Sequence, residues 1–317
     1  MFTLVDLKLL RLLAPLALLV FVITVSACGG AEPDQEGALN DSRIEVVATT
    51  SIVGDVVKHI GGERIVLTVL MPPSVDPHSY EVTPQDAVAI EEADVVFING
   101  LGLEKLLEPI LSPARADSKV VSVSDGVPKL VHEDAEHGSD EDPHVWFDPT
   151  RVMIWVRNIE QTLTRIDPEG SDYYVKNATA YNQQLEELDQ WIADEFANVP
   201  PGKRRIVTDH DSFGYLVDRY KLELVGTVIP GYNSLAEPSA RDLAKLINAI
   251  EEYSVSVVFV SDSVSPDISE QIALETGIQL VPLSTGALSA SEGDAPTYLE
   301  FMRSNISKIT QALTGDN

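Results

Sequence analysis

An α/β protein of two lobes, each with a four-stranded parallel sheet flanked by helices and joined by one long rigid helix, is what this 317-residue sequence predicts. Three observations predict it. Short β-rich runs alternate with segments of helical spacing, the pattern of a parallel sheet. One segment, 167–202, breaks the alternation with a single long helical stretch. About 275 residues of globular pattern then suffice for two lobes, each with a core of its own.

The chain opens with Lys8 and Arg11 and then an uncharged run, residues 12–27. As a helix it would span roughly 24 Å, short for a bilayer core of about 30 Å. Residues 1–27 read as a signal peptide. The run ends "VSAC-G", and small residues before a cysteine resemble the lipobox of bacterial lipoproteins. That resemblance makes Cys28 the lipidated terminus, an anchor and not a span. Cys28 is the one cysteine, so no intrachain disulfide is possible. Residues 28–42 have no apolar period and read as a flexible tether.

The N-terminal lobe covers 43–168. "IEVVATT" (44–50), "RIVLTVL" (64–70), "DVVFING" (94–100) and "KVVSVS" (119–124) are its strands. "SIVGDVVKHIG" is helical, and a helix is expected near 103–110. Thr83 suits an N-cap and Pro84 the first helical position. Asp148 and Pro149 repeat that start signal. Residues 169–198 form the linking helix. Leu185, Leu188, Ile192 and Phe196 fall at three- and four-residue steps on one apolar stripe. Pro200-Pro201-Gly202 stops it.

The C-terminal lobe covers 199–317. Its strands are "RRIVTDH" (204–210), "LELVGTVI" (222–229), "VSVVFVS" (255–261) and "IQLVPL" (278–283). Helices are expected over 237–253, over 267–277 ending at Gly277, and from Ala295 onward.

With 22 basic and 50 acidic residues the net charge is −28. That repels nucleic acid and disfavours anionic lipid surfaces. HExxH, paired CxxC, a Walker A loop and GxSxG are all missing from the sequence.

Six histidines are present, and two share one tripeptide, Asp76-Pro77-His78 and Asp142-Pro143-His144. Proline fixes its own φ and drives the preceding residue to extended geometry. Each histidine therefore leaves a stiffened backbone, as a metal ligand should. His78 and His210 follow strands of different lobes, and ligands gather at strand carboxyl ends in parallel sheets. His78, His144 and His210 are the candidate metal ligands. Nitrogen donors favour Zn²⁺, whereas Mn²⁺ prefers more carboxylate. His59 reads as a solvated residue at a helix end. His132 and His137 lie in an acid-rich stretch before His144 that reads as a mobile loop collecting cations weakly.

These motifs resemble the metal-binding proteins of zinc and manganese ABC importers, the cluster A-I solute-binding family. The resemblance rests on "DPHSY" (76–80), "DPHVWFDP" (142–149), "TDHDSFGYL" (208–216) and the 237–260 segment, and it covers 43–317. It implies two α/β lobes on one long helix, with the metal between them. It implies His78 and His144 as N-lobe ligands and His210 as the C-lobe ligand, a histidine there pointing to zinc. The acidic stretch 132–142 resembles a short form of the loop that zinc members carry. Many members supply an aspartate from a C-lobe loop, but the matching stretch 283–289 has Gly286 there. Water or Asp294 is then the fourth ligand. The family implies an ABC permease as partner, a monomer anchored through Cys28 on the extracytoplasmic side, and no catalysis. Manganese as the cargo, a zinc hydrolase and a metal-dependent adhesin are the alternatives.

Overall fold

The computed structural model describes residues 43–134 and 138–315, and of 131–134 and 138–140 the backbone alone. The signal-peptide reading of 1–27, the tether, Cys28 and His137 lie outside the described residues, as does the side chain of His132.

Two parallel four-stranded sheets organise the chain. In the first, strands β1 (Ile44–Ala48), β2 (Ile65–Val69), β3 (Val95–Ile98) and β4 (Val120–Ser122) lie in the order β2-β1-β3-β4. In the second, β7 (Arg205–Thr208), β8 (Glu223–Thr227), β9 (Val257–Ser261) and β10 (Gln279–Leu283) lie in the order β8-β7-β9-β10. The strand order is the same in both lobes. β3 and β9 are buried at every residue and carry valine, phenylalanine and isoleucine almost throughout, as strands covered on both faces should.

The helices are α1 (Ser51–Gly61), α2 (Pro84–Glu92), α3 (Glu108–Ala116), α4 (Pro149–Ile166), α5 (Ser171–Ala197), α6 (Gly214–Tyr220), α7 (Ala240–Tyr253), α8 (Asp267–Thr276) and α9 (Tyr298–Thr314). Their starts follow capping chemistry. Thr83 and Asp86 close a capping box at α2, as Ser239 and Asp242 do at α7. Asp148 caps α4 by accepting from the Thr150 N–H. Gly277, at φ +74°, ends α8 in the left-handed region that glycine enters without strain.

Three expectations are corrected. The helix expected near 103–110 begins later, as a short 3₁₀ turn Lys105–Leu107 followed by α3. Gly100, Leu101 and Gly102 all have positive φ, which no helix can include. The stretch read as a mobile loop has a backbone paired as an antiparallel hairpin, β5 (Val131–Asp134) with β6 (Gly138–Glu141). Pairing satisfies backbone N–H and C=O groups whatever the side-chain charge. The hairpin base carries an ion pair, Lys129 Nζ to Glu141 Oε1 at 2.6 Å. Helix α6 was not anticipated; it is seven residues long and starts without a side-chain cap.

The third correction concerns the core. Each lobe does have an outer cluster of its own, around Val96 and Leu107 in one and Val258 and Ile250 in the other. The largest cluster, however, belongs to both. It runs from Val46 of β1 through Ile52 of α1, Trp155 of α4 and Leu188 of α5 to Ile206 of β7 and Phe301 of α9. Helix α5, 27 residues and about 40 Å long, is its spine. The predicted stripe Leu185, Leu188, Ile192 and Phe196 is buried, extended backward by Tyr174, Ala178 and Tyr181. α5 packs against α4, α1 and α9 at once.

Polar contacts also cross between lobes. The Trp146 indole N–H donates to the Thr285 carbonyl at 2.9 Å, and the Tyr298 hydroxyl donates to the Trp146 carbonyl at 2.7 Å. Tyr215 donates its hydroxyl to the Asp142 carbonyl at 2.9 Å. These partners hold the chain around His144 from the opposite lobe.

Candidate metal centre

Three loops bring the predicted histidines together. His78 sits in the loop between β2 and α2, His144 between β6 and α4, and His210 directly after β7. One nitrogen from each lies within 4.8 Å of the other two. Ring centroids are 5.3 Å apart for His78–His144, 5.3 Å for His144–His210 and 5.8 Å for His78–His210. Among the described residues, no other group of His, Cys, Asp and Glu is gathered this way.

The aspartate of each tripeptide has a local purpose that the proline argument left out. Asp76 Oδ1 accepts the His78 backbone N–H at 3.0 Å, and Asp142 Oδ1 accepts that of His144 at 2.9 Å. Asp209 Oδ1 does the same for His210 at 2.7 Å. All three histidines thus follow a carboxylate that ties down their own amide.

Two of these carboxylates also reach the ring. Nδ1 of His144 stands 2.8 Å from Asp142 Oδ1, and Nδ1 of His210 stands 2.8 Å from Asp209 Oδ1. A carboxylate on Nδ1 holds a proton there, so Nε2 is the nitrogen whose lone pair faces a metal once the ring is neutral. Asp209 is itself oriented by the Ser261 N–H on its other oxygen, at 2.6 Å. Asp76 serves differently, with Oδ2 accepting from the Ser234 hydroxyl of the opposite lobe at 2.7 Å.

His78 Nε2 and His144 Nε2 face each other at 3.2 Å. Two neutral imidazole lone pairs at that distance repel unless a proton or cation lies between them. Two nitrogens each about 2.0–2.1 Å from a tetrahedral zinc are separated by about 3.3 Å, so the spacing fits a shared ion.

Burial sets the charge state. It pulls the His78 imidazole down to about 3, helped by the neighbouring His144. His144 is held well below its ordinary value by burial and then by His210. Burial also acts against the His210 cation, but the Asp209 hydrogen bond, with the charges of Asp209, Asp76 and Asp211, outweighs it and the net shift is upward. Burial pushes Asp142 up to about 8, against the opposing His144 backbone N–H. Asp142 Oδ2 is buried with no hydrogen-bond partner.

The remaining candidates fall elsewhere. Asp294 is exposed in the loop before α9 and stands outside the histidine group. His59 donates its Nδ1–H to the Asp55 carbonyl, 2.8 Å away, and stacks on Tyr181 with ring centroids 4.5 Å apart. Asp211 is engaged through its backbone N–H with the Gly231 carbonyl. Sequence reading missed the ring of Trp146 edge-on to His144 at 5.2 Å, Tyr232 at 6.3 Å, and Ser234. Trp146 had a signal, being next but one to a candidate ligand; Tyr232 and Ser234, in "PGYNSL", had none.

The arrangement can bind one divalent ion through three imidazole nitrogens and leave a fourth position to water. The family described as "Zinc-uptake complex component A periplasmic" matches residues 46–312. The manganese-binding lipoprotein MntA of Halalkalibacterium halodurans is 31% identical over 296 residues, 93% of this chain and 97% of that protein. MntA of Bacillus subtilis is 32% identical over 306 residues, covering 94% and 97%. Among solved structures, the periplasmic zinc-binding protein TroA of Treponema pallidum superposes with a TM-score of 0.79 at 29% identity. It covers 86% of this chain and 99% of its own.

Proposed function

Because this chain belongs to the family of periplasmic zinc-uptake components, we propose that it captures zinc between its lobes and delivers it to an ABC permease. It is a solute-binding protein of a metal importer and not an enzyme, as members of that family are transport components. It works outside the cytoplasm at the membrane, as relatives named lipoproteins do. Among the described residues no helix is long and apolar enough to cross a bilayer. In this reading Cys28 carries the lipid, and the protein acts as a monomer.

The observation that supports zinc is the donor set. Three imidazoles converge, while Asp142 and Asp209 sit on the far nitrogens and not at the centre. Borderline-soft zinc suits nitrogen donors; manganese gains more from carboxylate oxygen. Manganese is the second reading, favoured by the names of the two MntA relatives.

Metal analysis of the purified soluble chain, followed by direct Zn²⁺/Mn²⁺ competition, tests the assignment. One zinc per chain that excess manganese fails to displace is expected. Preferential retention of manganese would move the protein to the second reading.

A further inference from the structure

Gly286 lies in the loop after β10, and its backbone rests on Pro77 of the opposite lobe. A Cβ added at Gly286 would stand 2.5 Å from Pro77 Cδ and 3.0 Å from Cγ. The first distance is closer than side-chain carbons approach, and a proline ring has no rotamer by which to retreat. The backbone at 286 is not in the left-handed region, so its conformation would admit other residues and only the space forbids them.

Neither partner is free to move away. On one side of Gly286, Ser284 exchanges two hydrogen bonds with the Asn305 side chain, N–H to Oδ1 at 3.1 Å and Nδ2 to carbonyl at 2.7 Å. Thr285 holds Ser261 through its hydroxyl at 2.7 Å and Trp146 through its carbonyl at 2.9 Å. On the other side, the Leu288 N–H donates to Ser51 Oγ at 3.0 Å, and its carbonyl accepts the Ser74 N–H at 3.0 Å. Ser74 and Pro77 belong to the same short loop, which ends in His78. That loop is therefore pressed by Gly286 and tied by Leu288, both from the C-terminal lobe.

We propose that Gly286 is a positioning residue for the metal centre: its bare backbone against Pro77 sets where the His78 ring stands. The same contact keeps a side chain, a carboxylate included, from reaching the ion from position 286. His78 is the ligand for which this matters. It is partly exposed, and its aspartate ties the backbone amide and not the ring. This inference rests on the three-histidine site being a metal site.

The test is a cycle of G286A, P77A and the double variant. Zinc affinity is measured by chelator competition, and the visible absorption of the Co²⁺-loaded chain reports ligand geometry. G286A is expected to lose about 10–100-fold in affinity, as supporting residues of metal ligands do, and to alter the cobalt spectrum. P77A removes the ring atoms that the new methyl meets, so adding G286A to it should cost little more. Should G286A alone fail to fold, P77A against the double variant still decides: equal affinity supports the inference. Unchanged affinity and spectrum in G286A, or the same loss in both backgrounds, would overturn it while the metal site stands. An unsubstituted chain that takes up no metal would overturn both.

Discussion

Tyr215 of the C-terminal lobe donates its hydroxyl proton to the backbone carbonyl of Asp142, 2.9 Å away, and accepts the Leu130 N–H at 3.3 Å. A single phenol thus spans both ends of the β5–β6 hairpin and the residue that orients His144. Tyr215→Phe removes both hydrogen bonds and should cost about 2 kcal/mol of stability, at about 1 kcal/mol net for each. It should also weaken zinc binding, by less than loss of a ligand does. Urea denaturation and zinc titration of the same variant check both, and a zinc affinity reduced as far as in His144→Ala would contradict it.

His78→Ala, His144→Ala and His210→Ala should each weaken zinc binding strongly, because each removes one of three convergent nitrogens. His59→Ala should not, since that ring is spent on Asp55 and Tyr181. Isothermal titration decides, and a wild-type affinity in any of the first three removes that residue from the site.

Replacing residues 132–140 by Asn-Gly should leave one tight site. Val131 and Glu141 are paired across the hairpin base, so a two-residue turn can rejoin them. None of the three convergent histidines lies in the replaced segment. Only weak additional zinc should be lost in equilibrium dialysis. Loss of the tight site would make the hairpin part of it.

Zinc uptake near pH 7 should release protons from His210 and Asp142, whose proton affinities are held up, and not from His78 or His144, already neutral. A metal that displaces protons binds more tightly as pH rises, so affinity should fall on acidification. Calorimetry in buffers of different ionisation enthalpy counts the protons, about two at most, and Asp142→Asn should lower the count by about one. Release of three protons would mean that the neutral histidines had been misassigned.

Zinc should raise the thermal unfolding temperature. At free zinc 100-fold above Kd the folded state gains about 2.7 kcal/mol by mass action. The zinc-loaded chain should turn over no ester, peptide or β-lactam substrate. Hydrolysis that follows zinc content and disappears in His210→Ala would replace the transport reading with an enzymatic one.

Much of this architecture was legible because parallel α/β units announce themselves locally. Thr83-Pro84 and Asp148-Pro149 marked helix starts that are capped as expected. The three histidines were legible because rigid tripeptides and strand ends are sequence-local features. What escaped depends on partners far along the chain. Ser234 meets Asp76 across 158 residues, and Trp146 meets Thr285 across 139. The β5–β6 hairpin escaped for another reason: its acid content describes side chains, while its pairing is made by backbone. The shared core escaped because an apolar face shows that a helix is buried, not which neighbours bury it.

The two sheets share one strand order, which makes the halves look interchangeable. The common core makes them otherwise. α5 packs against α1 and α4 of the first half and α9 of the second within one core, so each half is fitted to the shape of its counterpart. Recombination between relatives that joined the first half of one to the second half of another would cut through packed aromatic contacts, Phe147 on Phe213 at 4.5 Å and on Phe301 at 5.7 Å. Such chimeras inherit two sound sheets and a mismatched seam. Crossovers in this lineage are therefore expected to survive in outer elements such as α7 and α8, which pack on the second lobe's own outer cluster, and to be purged along α5.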